Sequence, residues 1–332
     1  MHSTAEAWKS LSDIPHLRVA SDEPLQKYAR FGIGGPADLF AETSCVDSFQ
    51  AALHVAQGSG LPFVVIGGGS NLIISDEGFR GIVLRLGGNQ ICHDGTRVTA
   101  QSGAVLQDLV NYCNSAGLRG LETMTGIPGW VGAAVYGNAG AYGHSISERV
   151  ERVRFVDGNA IREFNNEECQ FHYRESTFKQ NKQWIIVSCD LAMTPAEEVE
   201  LQQKSAEILA VRNAKYPPDM KCAGSIFKNF LYAELPPRVA EQLPAAVVRE
   251  GKVPSAYFLE QAGARGIRIG DIQVATYHAN LIYNDGNGTA TDLLRVIDEV
   301  KTKVREKFGL ELEEEVQYVG FLGRNGHGIA TI

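Results

Sequence analysis

Paired cysteines, long apolar runs and a surplus of positive charge are all missing from this sequence, and each absence removes a class of protein. The cysteines, Cys45, Cys92, Cys113, Cys169, Cys189 and Cys222, are scattered with no C-x-x-C pair, which disfavours a disulfide framework or a structural zinc site and favours reduced, mostly buried thiols. No apolar run reaches the ~18 residues of a membrane span. The N-terminal stretch "MHSTAEAWKSLSDIPHLRVA" lacks a basic segment followed by an apolar one, so a soluble, cytoplasmic protein is expected. Lys and Arg total 31 against 39 for Asp and Glu, a net charge of -8, and the acids are dispersed apart from "ELEEEV". A nucleic-acid or anionic-membrane surface is therefore not expected.

What is present is an ordinary globular composition, 44% hydrophobic over 332 residues, enough for a substantial core and two or three domains. Short strands alternate with modest helices, which predicts a mixed α/β or α+β protein. A helix is read over 44–57 behind a Ser44/Asp47 capping box, then a strand over 63–66 and another in "LIISD". A second helix spans 104–116, closed by Gly117, and "VERVRFVDGNAIREF" reads as a hairpin turning at Asp157, Gly158 and Asn159. After the strand "WIIVSCDLAM", Pro195 is expected to open a helix running to about 213. The stretch "AKYPPDMKCAG" is the best domain boundary. Beyond it come a short helix ending at Gly263, strands around 266–283 and a strongly amphipathic helix carrying Leu293, Leu294, Ile297, Val300, Val304 and Phe308. Segment 231–254 reads as a surface insertion.

Two glycine-rich loops carry the first functional signal. "GGGSN", Gly67, Gly68, Gly69, Ser70 and Asn71, follows a strand directly, and backbone this bare can close around a pyrophosphate. The dinucleotide fingerprint fails, because Leu72 stands where its third glycine belongs and a strand follows instead of a helix. No G-K-[ST] follows either. "TGIPGWVGAAVYGNAGAYG" adds glycines at 126, 129, 132, 137, 140 and 143. Close packing of small residues is the commoner use of such a stripe, but two such segments together favour a dinucleotide held without a Rossmann fold.

Polar candidates are sparser. Arg174 in "FHYRESTF" offers a fork for a carboxylate, and Glu315 in "ELEEEVQYVG" could serve a site as a carboxylic acid, although each alone reads more simply as surface charge. Ser225 in "AGSIFKN" lacks the G-x-S-x-G elbow of a hydrolase nucleophile and could cap a helix starting near Phe227.

The ordered series "FGIGGPADL", "GGGSNLIISD", "GIPGWVGAAVYGNAGAYG", "YRESTF", "AGSIFKN", "EQAGARGIRIGDIQV", "HANLIYN" and "LEEEVQYVG" resembles the UDP-N-acetylenolpyruvoylglucosamine reductase (MurB) family over nearly the whole chain. The resemblance implies an α+β fold: an FAD-binding module of the vanillyl-alcohol oxidase-like (PCMH) type in two subdomains, and a separate α+β substrate-binding domain. The implied boundaries are 15–78, with 316–332 packing on it, then 79–214 and 215–315. It implies bound FAD, NADPH as co-substrate and a UDP-sugar substrate in peptidoglycan precursor synthesis, with no metal.

Gly67 to Asn71 would face the pyrophosphate, while Gly126, Ile127, Pro128, Gly129 and Gly132 would line the flavin. Arg174 and Glu315 would stabilise an enolate-like intermediate, and Ser225 would protonate it. Tyr173, Lys228 and Asn229 would contact substrate or nicotinamide, and Arg265 would meet the UDP phosphates. The chain departs from the family at Arg265, usually lysine, and at Asp271, Phe230 and Trp130. It also lacks the tyrosine-bearing insertion that closes over substrate in one branch, so it resembles the second branch. A flavin oxidase of the same cofactor fold and a catalytically inactive nucleotide-binding protein are the rival expectations.

Overall fold

The computed structural model describes residues 4–158 and 160–321. Its first sheet is built on Phe79–Leu86, which runs parallel to Pro36–Thr43 on one side and to Phe63–Val65 on the other, with Arg18–Pro24 antiparallel at the edge. Helix Val46–Ser59 buries Phe49, Ala52, Leu53 and Ala56 against this sheet and stops where Gly60 turns left-handed. The helix starts later than the sequence reading placed it. Cys45 occupies the N-cap without a side-chain bond, and the Thr43 hydroxyl accepts the Cys45 N–H, so Ser44 and Asp47 form no capping box.

The second sheet is antiparallel, in the order Ile161–Asn165, Val150–Val156, Ile185–Ala192, Arg97–Gln101, Ile91–Asp94. Phe155 anchors it, with the rings of Phe164, Trp184 and Phe178 at 4.7, 5.1 and 5.2 Å. Inside it Asp190 takes two bonds from Arg154 and one from the Thr99 hydroxyl. Burial alone would raise that carboxyl, but these donors outweigh it and hold it below the ordinary range. Val156, Ile185 and Val187 also enter the core of the first sheet, which fuses the two units into one body. Pro195 does not open a helix. It lies in a two-residue strand paired with Leu118–Arg119, and the helix runs from Glu198 to Lys215.

The third unit packs helix Ala290–Phe308 on an antiparallel sheet ordered Lys221–Ser225, Leu281–Asn284, Ile272–Val274, Arg268–Ile269. Its apolar stripe is core, as the sequence spacing required. Leu235, Val239 and Val253 of segment 231–254 are buried in the same core, so that segment is partly internal rather than a surface insertion alone. We propose 15–78, 79–214 and 215–315 as the domain plan, supported by this grouping of cores. Strand Gln317–Val319 returns to pair in parallel with Leu72–Ile74 of the first unit, and residues 322–332 of the expected terminal packing lie outside the described residues. Burial pushes the Cys113, Cys169 and Cys189 thiols up to about 12, consistent with inert core cysteines.

The first and third units are also joined by Asp76, whose carboxylate accepts the N–H groups of Ala290 and Thr291 at 2.8 and 2.9 Å and the Thr291 hydroxyl at 2.7 Å. A carboxylate supplied from another unit thus helps cap the helix that holds the third core. Replacing Asp76 by Ala should lower the urea-unfolding free energy by about 1–2 kcal/mol, with Asp76→Asn retaining much of it. No loss in either variant would mean that the amide donors are satisfied in another way.

Candidate active site

Strand Phe63–Val65 delivers the chain into Gly67–Asn71. Gly69 has φ 67°, and a Cβ there would fall 1.6 Å from the Tyr28 carbonyl oxygen, so this turn tolerates nothing larger than glycine. The second glycine segment is stitched to residues 102–106: Leu106 N–H donates to Gly129, Val131 N–H to Ala104 and Gly132 N–H to Ser102. A Cβ on Gly129, at φ 115°, would lie 2.5 Å from Ser70 Oγ. The two loops are therefore in close contact.

Trp130 lies between them. Its indole packs against Gly68, where the missing Cβ leaves room, and the Arg85 guanidinium lies 4.1 Å over its ring. Arg85 in turn donates to the Gly67 carbonyl at 3.1 Å and to Glu42 at 2.5 Å. The departure at Trp130 is thus an aromatic wedge buttressed from below.

Arg174 sits at φ 57°, a strained backbone for an arginine. Lys179 Nζ donates to its carbonyl oxygen at 2.7 Å and helps hold that conformation. The Arg174 guanidinium pairs with Glu315 through Nε and donates to the Gly140 carbonyl at 3.2 Å. Ser225 ends strand Lys221–Ser225 beside Gly224, and its hydroxyl lies 3.3 Å from Tyr216 OH. It caps no helix. The chain after it pairs instead, with Ile226 N–H donating to Asn280 and Phe227 bridging Glu314. Glu315 N–H donates to Ile226, which brings the acid strand alongside Ser225.

One cavity of about 260 Å³ is lined by Ser70, Asn71, Ile127, Pro128 and Trp130 together with Arg174, Ser225 and Glu315. A second, of about 510 Å³, shares Ile127, Pro128, Arg212, Tyr216 and Gly224 with it and adds Gly126. Gly67 and Gly132 line a smaller neighbour behind Trp130. Tyr173, Lys228, Asn229 and Arg265 do not line the main cavity. Tyr173 OH accepts the Asn229 N–H at 3.3 Å, and Lys228 is caught between Glu175 at 3.1 Å and Glu313 at 2.5 Å. Burial would lower the Lys228 ammonium, but its acid partners outweigh that and raise it. Arg265, half exposed, pairs with Glu260 at 2.8 Å.

Sequence reading missed Arg212, Tyr216, Tyr136 and Lys179 on the cavity wall. Arg212 and Tyr216 flank the helix end just before Pro217 and Pro218, and the only signal was one arginine and one tyrosine a helical turn apart. Arg212 Nε and Tyr136 OH are buried without a hydrogen-bond partner, and burial pulls the arginine's pKa down and the tyrosine's up. Orphaned donors beside glycine backbone suit a polar, flat ligand with acceptor atoms, and a flavin dinucleotide has that chemistry.

Comparisons with known proteins agree with this geometry. Residues 37–162 match the FAD binding domain model, and residues 214–319 match the C-terminal domain model of UDP-N-acetylenolpyruvoylglucosamine reductase. A UDP-N-acetylenolpyruvoylglucosamine reductase of Solibacter usitatus is 63% identical over 93% of this chain and 99% of its own length. The chain belongs to the UDP-N-acetylenolpyruvoylglucosamine reductase family. A family member from Rubrobacter xylanophilus is 36% identical over 90% of the chain and 94% of its own. The crystal structure of the Thermus caldophilus reductase superposes with a TM-score of 0.70 at 28% identity, covering 91% of this chain and 98% of that one. The fold is therefore that of this reductase family, an FAD-binding module followed by the family's C-terminal domain.

Behind Ser225, the His278 ring stands edge-on to Tyr216 at 6.4 Å, with Nε2 buried and unpartnered. Burial, reinforced by Lys215 and Arg265, pulls its pKa down to about 4. The unfolded chain therefore binds a proton between pH 6.5 and 4 that the folded chain refuses, and stability falls as pH drops through that window. His278→Gln should be measurably flatter than wild type in urea unfolding between pH 7 and 5, where the wild type loses about 1–2 kcal/mol through this residue. Identical slopes would show that the histidine charges freely in the fold.

Proposed function

We infer that this chain reduces UDP-N-acetylenolpyruvoylglucosamine to UDP-N-acetylmuramate, as an FAD-dependent oxidoreductase that consumes NADPH in peptidoglycan precursor synthesis. The observation that carries the residue roles is the convergence of Arg174, Ser225 and Glu315 on the cavity that both glycine loops also line. Bound FAD supplies hydride chemistry that carries two electrons from NADPH to the carbon–carbon double bond. Ser70, Asn71 and Gly126 to Gly132 are the backbone and side chains placed to hold it, with Arg212 and Tyr136 offering unfilled donors.

Hydride arriving at the terminal carbon of the enolpyruvyl group leaves negative charge on the adjacent carbon and its carboxylate. Arg174 meets that carboxylate with a fixed guanidinium, and Glu315 sets the guanidinium's orientation and borders the same charge. Ser225 then donates its hydroxyl proton to the α carbon. Serine is a weak acid, yet an enolate dianion is basic enough to take its proton, whereas a carboxylic acid at that position would be ionised near neutral pH unless strongly perturbed. Tyr216 OH, beside the Ser225 hydroxyl, is placed to stabilise the oxygen left behind. Lys228, Asn229 and Tyr173 form a polar rim for substrate or nicotinamide. Arg265, paired with Glu260, would have to exchange that partner to meet phosphate.

No helix among the described residues is long and apolar enough to cross a membrane. We assign the enzyme to the cytoplasm, alongside its nucleotide substrates. The oxidase alternative draws no support from the site, since protonation of an enolate explains all three polar residues.

The test is anaerobic. NADPH-reduced enzyme should reoxidise on adding the enolpyruvyl substrate, without oxygen, and Ser225→Ala should slow that half-reaction by about 100-fold while leaving reduction by NADPH largely intact. Substrate that fails to reoxidise the flavin would overturn the function. Equal losses in both half-reactions would overturn the role of Ser225.

A further inference from the structure

A serine that gives up a proton in each turnover has to take one back. Among the described residues the Ser225 hydroxyl has one hydrogen-bond partner, the phenol of Tyr216 at 3.3 Å. The charged groups nearby are engaged elsewhere: Arg174 with Glu315, and Lys179 with Glu175 and the Arg174 carbonyl. Tyr216 is held firmly in place. Its N–H ends helix Glu198–Lys215 by donating to the Arg212 carbonyl at 2.7 Å, Pro217 and Pro218 follow, and the His278 ring meets its ring edge-on.

The same phenol borders two cavities, the one that Arg174, Ser225 and Glu315 line and the second, of about 510 Å³. Its surroundings favour a negative charge. The Arg212 guanidinium and the Lys215 ammonium lie 5.7 and 5.0 Å from the ring centroid, and neither pairs with a carboxylate among the described residues. Arg30 adds a third cation across the second cavity. Burial keeps His278 and the Cys222 thiol uncharged near neutral pH, and Tyr277 turns its hydroxyl to the Lys215 carbonyl at 3.0 Å. Glu315, the one carboxylate lining either cavity among the described residues, is offset by Arg174. A phenolate formed here meets net positive charge.

We propose that Tyr216 passes its phenolic proton to the Ser225 oxygen as Ser225 protonates the α carbon, the two hydroxyls forming a relay fed from the second cavity. One C–H bond forms at the α carbon as the Ser225 O–H breaks, and a new Ser225 O–H forms as the Tyr216 O–H breaks. The enolate's electron pair ends in the C–H bond and the negative charge moves to the phenolate. Water reaching the second cavity then returns a proton to Tyr216 and releases hydroxide to solvent. A phenol ionises far more readily than a serine hydroxyl, so the charge comes to rest on the more stable anion and no serine alkoxide is left facing the substrate. This rests on the reductase reading of the site, and Tyr216 acts through Ser225 rather than on the substrate.

The test follows anaerobic reoxidation of the NADPH-reduced, flavin-loaded enzyme by the enolpyruvyl substrate, from neutral to alkaline pH. It compares wild type, Tyr216→Phe and Tyr216→3,5-difluorotyrosine, a more acidic phenol of nearly the same shape. Tyr216→Phe should slow reoxidation by about 10- to 100-fold at neutral pH, a loss not accounted for by substrate affinity measured calorimetrically on the oxidised enzyme. The wild-type rate should fall at alkaline pH as the relay phenol loses its proton. That fall should move to lower pH in the difluoro enzyme and be absent from Tyr216→Phe. A fall that fluorination leaves in place belongs to another group, such as Lys215 or Tyr277, and overturns the proposal. Tyr216→Phe that reoxidises at the wild-type rate, or is slowed only through weaker substrate binding, also overturns it and leaves Tyr216 as a wall of the cavity. Should Tyr216→Phe lose its flavin, the difluoro enzyme decides. Reduced wild type that substrate does not reoxidise overturns the reductase reading itself.

Discussion

Everything at this site depends on where Glu315 is held. Its N–H donates to Ile226 at 2.7 Å, its carbonyl accepts from Asn71 Nδ2 at 2.8 Å, and its carboxylate takes Arg174 Nε. Two residues on, Gln317 N–H donates to the Asn71 carbonyl at 2.9 Å and begins the parallel pairing with Leu72–Ile74. One residue thus ties together the glycine loop of the first unit, the arginine turn of the second and the serine strand of the third. Each tie is a backbone or charge-assisted bond in a partly buried setting, where an unmade bond would be costly.

This constraint explains why the surrounding elements take unusual conformations. Arg174 accepts a left-handed backbone because its guanidinium, its carbonyl and the neighbouring Ser176 hydroxyl, which donates to Tyr136 at 2.7 Å, are all fixed. Trp130 fits because Gly68 makes room and Arg85 covers its face. Several of the glycines that first looked like ligand cradles therefore also serve packing: Gly69 meets the Tyr28 carbonyl, and Gly129 meets Ser70. The two uses are compatible, since a loop kept rigid by internal contact presents its remaining N–H groups in a fixed direction.

Much of the architecture was legible because it rests on period and punctuation. The helix carrying Leu293, Ile297, Val300 and Val304 and the hairpin arms around Asp157 follow from spacing alone. What spacing could not give was the competition between local signals. Pro195 reads as a helix opener, but its neighbour Ala196 donates to Gly117, and that pairing delays the helix to Glu198. Ser225 reads as a cap until Asn280 and Glu314 are seen to pair the chain that follows it. Arg174, Ser225 and Glu315 could each be picked out as polar candidates, but they carry no joint signature in composition or spacing, since their proximity is made by long-range pairing, and only the ordered family motifs grouped them. Arg212 and Tyr136 were invisible because their significance is an unfilled bond, which exists only after folding.

The central claim is that the Glu315 junction sets Arg174 and Ser225 around one reacting carbon. A crystal structure of the oxidised, FAD-loaded enzyme with the enolpyruvyl substrate measures this directly. The account predicts the substrate carboxylate within hydrogen-bonding distance of Arg174, and the α carbon next to the Ser225 hydroxyl with no other proton donor closer. An α carbon facing a different donor, or a carboxylate held away from Arg174, would contradict it.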